Sequence, residues 1–369
     1  MKPILINNSI EKDDLVAKFS PIEIVDLYEE QVKELFLIRN PKYRFDPNYV
    51  EELGKFKEDL DSHKNWAFFP WNKTLISCLS DEMHQELRTA RNRNLITKEQ
   101  QEKFYNFPVA IAGLSVGSHP AMVISMMGGA RDIRIADPDE ISASNTNRIR
   151  TDFSKLGKSK CDEVEHAIYQ LNPYAQISAY PSGITPESID EFLTKGQKVG
   201  VLVEEVDNLF LKIMLRLRAK QLGIPVLMAT DNGDGVIVDI ERYDLEPDLE
   251  LFNGAIGHVS EEEFKKFQPQ DLPKLATKVA GPGVASPEML KSVLEVGRTI
   301  YSWPQLGAAA NSAGSVVAYL VRRLALGLPL KSGKYEVNLD AIFDPNYFTD
   351  GAREARESLR KECLEKLGL

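Results

Sequence analysis

From Pro108 onward short apolar runs alternate with helix-like stretches, and this alternation is what most restricts the fold. Residues 109–113 (VAIAG) form an apolar run closed by glycine, which reads as a buried strand entering a tight turn. The segment after Pro120 reads as a helix, because proline is tolerated in a first helical turn. Residues 133–137 (IRIAD) read as a second strand and 160–171 as a second helix. Residues 177–180 and 201–203 (VLV) give two more strands, 209–222 an amphipathic helix, and 225–229 (PVLMA) a further strand. Strands separated by helices predict an α/β fold: a doubly wound, Rossmann-like, mostly parallel sheet with helices on both faces.

The first 105 residues follow other rules. Ile22, Val25, Val32, Leu35 and Phe36 fall at helical spacings after the start signal Ser20-Pro21, and predict one helix. Proline- and aromatic-rich stretches at 40–45 and 66–71 (WAFFPW) read as irregular, partly buried connections, and a helix is expected from 81 to about 91. Three regions follow: an α-rich N-terminal accessory region for substrate recognition (1–105), a nucleotide-binding domain (106–250), and a C-terminal extension that completes the sheet and a dimer or substrate surface (251–369). Within the last, 253–285 reads as an excursion rich in Gly, Pro, Lys and Glu. Residues 311–326 (NSAGSVVAYLVRRLAL) read as a final helix with small residues on one side.

Composition narrows the functional classes. The net charge is −10, which argues against nucleic acid as a general partner, since backbone binding depends on clustered Lys and Arg. Three scattered cysteines without a CxxC pair exclude a disulfide framework and a thiolate zinc knuckle, and fit a reducing compartment. The N-terminus has no signal-like apolar core, and no stretch reaches the length of a membrane span. The expected location is the cytoplasm.

The loop Gly113-Leu114-Ser115-Val116-Gly117-Ser118 admits two readings. As Gly-x-Ser-x-Gly it is a hydrolase nucleophile elbow with Ser115 as nucleophile. As a softened glycine loop it cradles the phosphates of a nucleotide. Asp137, 24 positions after Gly113 and at the end of the next strand, stands where a ribose hydroxyl is read. A hydrolase has no use for it, and expects several βα units before the nucleophile and a later Asp and His. The downstream histidines are His119, His166 and His258.

The next residues are more specific. They are Asp137-Pro138-Asp139, then Ser144-Asn145 and Arg148, then Gly157-Lys158-Ser159-Lys160, Leu171-Asn172-Pro173, Glu204-Glu205-Val206-Asp207-Asn208 and Gly223-Ile224-Pro225-Val226. This series, over about residues 88–240, resembles the ThiF/MoeB/HesA family of adenylating enzymes related to ubiquitin-activating enzymes. The layout is also similar to a bacterial subgroup of obscure function. The resemblance implies ATP- and Mg-dependent adenylation of a carboxylate on a peptide or small molecule, with release of pyrophosphate.

The resemblance also implies site residues. Gly113, Ser115, Gly117, Ser118, Asp137, Asp139 and Asn145 would bind the nucleotide. Arg148 and Lys160 would offset charge on the α-phosphate and the departing pyrophosphate, and Asp207 would hold the magnesium ion. The family forms homodimers in which an arginine crosses the interface, a role that falls here on Arg93 and, with it, Arg91. Ser115 and Ser118 replace glycines of the family pattern, so a restricted turn is expected. No cysteine stands where a thioester to a protein modifier would form. Cys161, beside Lys160, reads as a small buried hydrophobe. Two alternatives stay open: a NAD- or FAD-binding oxidoreductase on the same turn, and a non-catalytic peptide-binding protein of the same fold.

Overall fold

A computed structural model describes residues 1–7, 12–58, 60, 64–264 and 272–367. The chain divides into two compact units, residues 1–106 with 125–131 and 165–176, and residues 107–124 with 132–164 and 177–369. No helix among the described residues is long and apolar enough to cross a membrane.

The first unit is rich in helices, as expected, and also contains a four-stranded sheet. Its strands are β1 (Ile4–Asn7), β2 (Glu23–Val25), β3 (Asn65–Phe69) and β4 (Thr74–Cys78), in the order β1-β3-β4-β2. The β1–β3 and β3–β4 pairs are antiparallel, and β2–β4 is parallel. Two sequence expectations are corrected here. The single helix from Ser20 splits, with Glu23–Val25 pairing as a strand and the helix running from Tyr28 to Arg39. Ser20 takes a positive φ of 45°, Ile22 is exposed ahead of the strand and Val25 is its last residue, so the helical spacing of Ile22 and Val25 does not mark a buried helical face. The aromatic stretch at 66–71 is not irregular. Trp66, Ala67, Phe68 and Phe69 are all buried in β3, and Pro70 opens the turn to β4, where a missing N–H costs no ladder bond. Trp66 and Phe68 pack with Ile6, Leu15 and Leu75, and Phe19 stacks on Phe68 at 4.7 Å.

The second unit carries the doubly wound sheet. Its strands are β5 (Val109–Ala112), β6 (Asp132–Ala136), β7 (Gln176–Tyr180), β8 (Val201–Glu204), β9 (Val226–Asn232), β10 (Gly235–Glu241) and β11 (Gly333–Val337). The order is β11-β10-β9-β8-β5-β6-β7. The β6–β5, β5–β8 and β8–β9 pairs are parallel, and β10 and β11 add antiparallel at one edge. Helices Ser118–Met126, Lys160–Leu171 and Leu209–Leu222 follow β5, β6 and β8, close to the predicted bounds. The helix Gly307–Ala325 starts four residues before the expected 311. Residues 265–271 of the expected excursion lie outside the described residues. On either side of them the chain is ordered into the core: Val259 and Val279 are buried there, and Leu272–Ala280 is helical.

Two contacts fix helices to this sheet. Arg216, fully buried, donates from Nε to Glu241 at 2.7 Å and pairs through Nη1 with Glu204, the last residue of β8. Burial alone would raise the Glu204 carboxyl, but Lys212 and Arg216 outweigh it and hold the pKa below its usual value. The second contact is a close approach. A Cβ on Gly314 would lie 2.5 Å from His119 Cβ, so the last long helix meets the helix after β5 only because residue 314 has no side chain. Gly314→Ala is therefore expected to cost about 1–3 kcal/mol in chemical denaturation. Gly54→Ala, with no atom within 4 Å of the added carbon, should instead stabilise by about 0.5–1 kcal/mol.

Candidate active site

In an open parallel sheet, ligands sit beyond the carboxyl ends of the strands. Here the ends of β5, β6, β8 and β9 carry Gly113, Asp137, Glu205–Asp207 and Asp231. Gly113 has φ +87°, and a Cβ there would lie 2.4 Å from the Glu205 carbonyl oxygen. Only glycine allows that backbone turn and that approach together. A Cβ on Gly117 would lie 2.0 Å from the Gly113 carbonyl oxygen, so this glycine is required by space. Ser115 and Ser118 have no positive φ, and no restriction of the turn arises from them. They add hydrogen bonds: Ser118 Oγ donates to the Ser115 carbonyl at 2.8 Å, and Ser115 Oγ accepts from Arg148 Nε at 3.2 Å.

Asp137 organises the turn. Its Oδ2 accepts the Leu114 N–H at 2.6 Å and its Oδ1 the Asp139 N–H at 2.8 Å. Each carboxylate oxygen keeps a second acceptor direction for a hydroxyl. Lys160 is buried, 2.8 Å from Asp139 Oδ2 and 3.6 Å from Asp137 Oδ1, and is not a loose surface charge. The N–H groups of Ser115, Val116 and Gly117 have no hydrogen-bond partner among the described residues. Together with the helix N-terminus at Ser118 they form a row of free donors suited to an anion.

Arg148 is half-buried over this row. Besides Ser115 it donates to the Ser144 carbonyl at 3.1 Å and to Asn147 Oδ1 at 2.9 Å. Burial lowers its pKa, and the carboxylates of Asp207 and Asp231 oppose the shift. Asn145 is buried and accepts the Ser142 N–H at 3.0 Å, so its side chain shapes the turn that carries Arg148. Asp207 is exposed and makes no hydrogen bond or ion pair among the described residues. The N-cap of the following helix is Asn208, which leaves the Asp207 carboxylate uncommitted. Arg91 and Arg93 belong to the first unit. Arg93 donates to the Ile38 carbonyl at 2.9 Å and pairs with Glu86 at 3.1 Å, and Arg91 is exposed.

Two readings of single residues are settled by these contacts. The partner of Ser115 Oγ is an arginine, which cannot take a proton, so no nucleophile elbow is assembled. Cys161 is fully buried and its thiol is pushed up to about 12 by that burial, which leaves it inert.

Sequence reasoning gave no role to Asp231, Glu205 or Gln305. The strand PVLMA was read as ending at Ala229, whereas β9 runs on to Asn232 and places Asp231 at its carboxyl end. An acidic residue just past a predicted parallel strand is the signal that could have found it. Glu205 lies at the end of β8, accepts the Ala229 N–H at 2.8 Å, and burial raises its carboxyl well above the usual range.

A comparison with protein families matches residues 89–302 to the ThiF family, more than half of the chain. The chain belongs to the ThiF family. It is 34% identical over 346 residues to an uncharacterized protein of Mycobacterium tuberculosis, covering 92% of this chain and 46% of that protein. It is 28% identical over 166 residues to the tRNA threonylcarbamoyladenosine dehydratase of Bacillus subtilis, 43% of this chain and 64% of the relative. Identity is 35% over 82 residues to the adenylyltransferase and sulfurtransferase UBA4 of Eremothecium gossypii, 22% of this chain and 18% of the relative. The chain thus spans less than two thirds of each of these proteins.

Asp231 gives this ThiF-family site a pH signature. Burial pushes its carboxyl up to about 6 from an ordinary 3.8, against the hydrogen bond from Gln305 and the charge of Arg148. Asp231 in turn helps to raise the neighbouring Glu205 carboxyl, whose main cause is burial. An acid whose folded pKa is raised binds its proton more tightly when folded, so stability falls as pH rises from about 4 to about 6 and stays lower above that. A shift of two units corresponds to roughly 3 kcal/mol. Asp231→Asn should therefore raise the melting temperature at pH 7.5 and change it little at pH 4.5. Equal effects at both pH values would contradict this assignment.

Proposed function

We propose that this chain binds ATP with magnesium and transfers the adenylyl group to a carboxylate on a peptide or small molecule, releasing pyrophosphate. The observation that carries the reading is the row of free N–H groups at Ser115, Val116 and Gly117, with Arg148 held against it by Ser115. Family membership and the adenylyltransferase among the relatives support the same chemistry.

The residues divide the work. The free amides and the helix N-terminus bind phosphate oxygens, and Asp137 accepts from a ribose hydroxyl with its remaining lone pairs. A carboxylate oxygen of the substrate attacks the α-phosphorus, the bond to the pyrophosphate oxygen breaks, and an acyl-adenylate results. Arg148 offsets the charge that develops in this step, where a preorganised donor in a half-buried site is most effective. Lys160, beside Asp137 and Asp139, adds positive charge near the nucleotide.

Asp207 suits magnesium. It is a free oxygen donor beside Arg148, and magnesium is held by one or two carboxylates together with substrate phosphates. Among the described residues no group of three or more His, Cys, Asp or Glu side chains could hold a metal, so no all-protein cage competes with that arrangement. Bound there, the ion would neutralise part of the triphosphate charge. A nicotinamide or flavin in the same turn would leave Arg148 and Asp207 without a task. The proposal includes a homodimer acting in the cytoplasm, with the partner subunit's Arg93 and the partner subunit's Arg91 reaching the phosphates.

Calorimetry with ATP and magnesium tests the reading. Wild-type protein should bind in the micromolar range, Arg148→Ala should weaken binding at least tenfold, and Asp207→Asn should abolish the magnesium dependence with the melting temperature unchanged. A wild-type protein with no affinity for any adenine nucleotide overturns it.

A further inference from the structure

Asp231 sits at the end of β9 with 5% of its surface exposed. Its Oδ2 accepts from Gln305 Nε2 at 3.3 Å, while among the described residues its Oδ1 accepts no hydrogen bond. A buried carboxyl left half-satisfied costs free energy, and a core position of this kind would be served better by an amide or an apolar residue. Such costs persist where the group does something else.

The contacts show what that is. Gln305 uses its side chain on Asp231 and its main chain on the site: its carbonyl accepts from Asn147 Nδ2 at 2.8 Å. Asn147 Oδ1 in turn accepts from Arg148 Nη1 at 2.9 Å, and Arg148 Nε reaches Ser115 of the phosphate turn. Two residues past Gln305, Gly307 lies so close to Asn147 that an added Cβ would be 2.7 Å from the Asn147 carbonyl oxygen. The short strap 304–307 is thus clamped over Asn147, and Asp231 anchors its far side.

We infer that Asp231 is a positioning residue for Arg148, acting through Gln305 and Asn147, so that the strap 304–307 is part of the anion-binding site although it touches no anion itself. The chain of contacts is a property of the protein alone. Its consequence for nucleotide binding rests on the adenylation reading. A hydrogen-bonded chain of this kind is coupled, so cutting it at two places costs little more than cutting it once.

The experiment has two readouts on the full chain. Hydrogen–deuterium exchange is followed at residues 143–150 and 304–307, and ATP affinity with magnesium is measured by calorimetry. Asp231→Ala and Gln305→Ala should each speed exchange in both segments and weaken ATP binding about tenfold, and the double variant should match either single one. Asp231→Asn keeps an acceptor oxygen for Gln305, and should retain wild-type protection and stay within about threefold in affinity. Unchanged exchange at 143–150 in Asp231→Ala overturns the inference, as do additive losses in the double variant. An Asp231→Asn variant that behaves like Asp231→Ala overturns the hydrogen-bonded route. If exchange responds as stated but wild-type protein binds no adenine nucleotide, the positioning chain stands and the adenylation reading falls.

Discussion

The close approach of Gly113 to the Glu205 carbonyl is the constraint from which the rest of the site follows. It forces the chain leaving β5 to cross the end of β8 with no side chain between them. The turn that results leaves three backbone N–H groups without a hydrogen-bond partner among the described residues and leads directly into a helix. Asp137 then fixes this turn to the end of β6 by taking the one N–H, that of Leu114, that would otherwise compete with the row. A side chain at 113 would separate strand ends whose proximity is what gathers Arg148, Asp207 and Asp231 into one region.

The same edge of the sheet concentrates charge that the core must accommodate. Glu204 is fully buried and satisfied by Lys212 and Arg216, whose partners extend to Glu241. This network is closed, and it holds the helix after β8 against the sheet. Half-buried Glu205 and buried Asp231, at the ends of adjacent strands, lack a full cation partner among the described residues, and desolvation raises both carboxyls. Structural charges here are paired; the unpaired ones stand beside the phosphate turn. That division is expected where stability is given up locally for preorganised chemistry.

Much of the second unit was legible in the sequence. The strands at 109–112, 132–136 and 201–204 and the helices at 160–171 and 209–222 show the short apolar runs and amphipathic spacing that local physics requires. Gly113 and Asp137 were legible from their places at the ends of apolar runs, whereas Arg148 and Lys160 were singled out only by the family resemblance. The first unit was read less well. In β3 both faces are buried, so Trp66 to Phe69 lack the alternation that marks a strand, and Pro70 suggested irregularity where there is a hairpin turn.

The sequence by itself determined the alternation of strands and helices, the glycine that the tight turn needs, and the residue types of an anion site. Those depend on period, φ preference and side-chain chemistry, all local. Tertiary structure decided which of these groups are free to act. It committed Asn145 to a turn, paired Lys160, left the amides of 115–117 and the Asp207 carboxylate without a partner among the described residues, and brought Gln305 across more than 150 residues to Asn147. Burial and long-range hydrogen bonds set those outcomes, and neither is written in the spacing of residues along the chain.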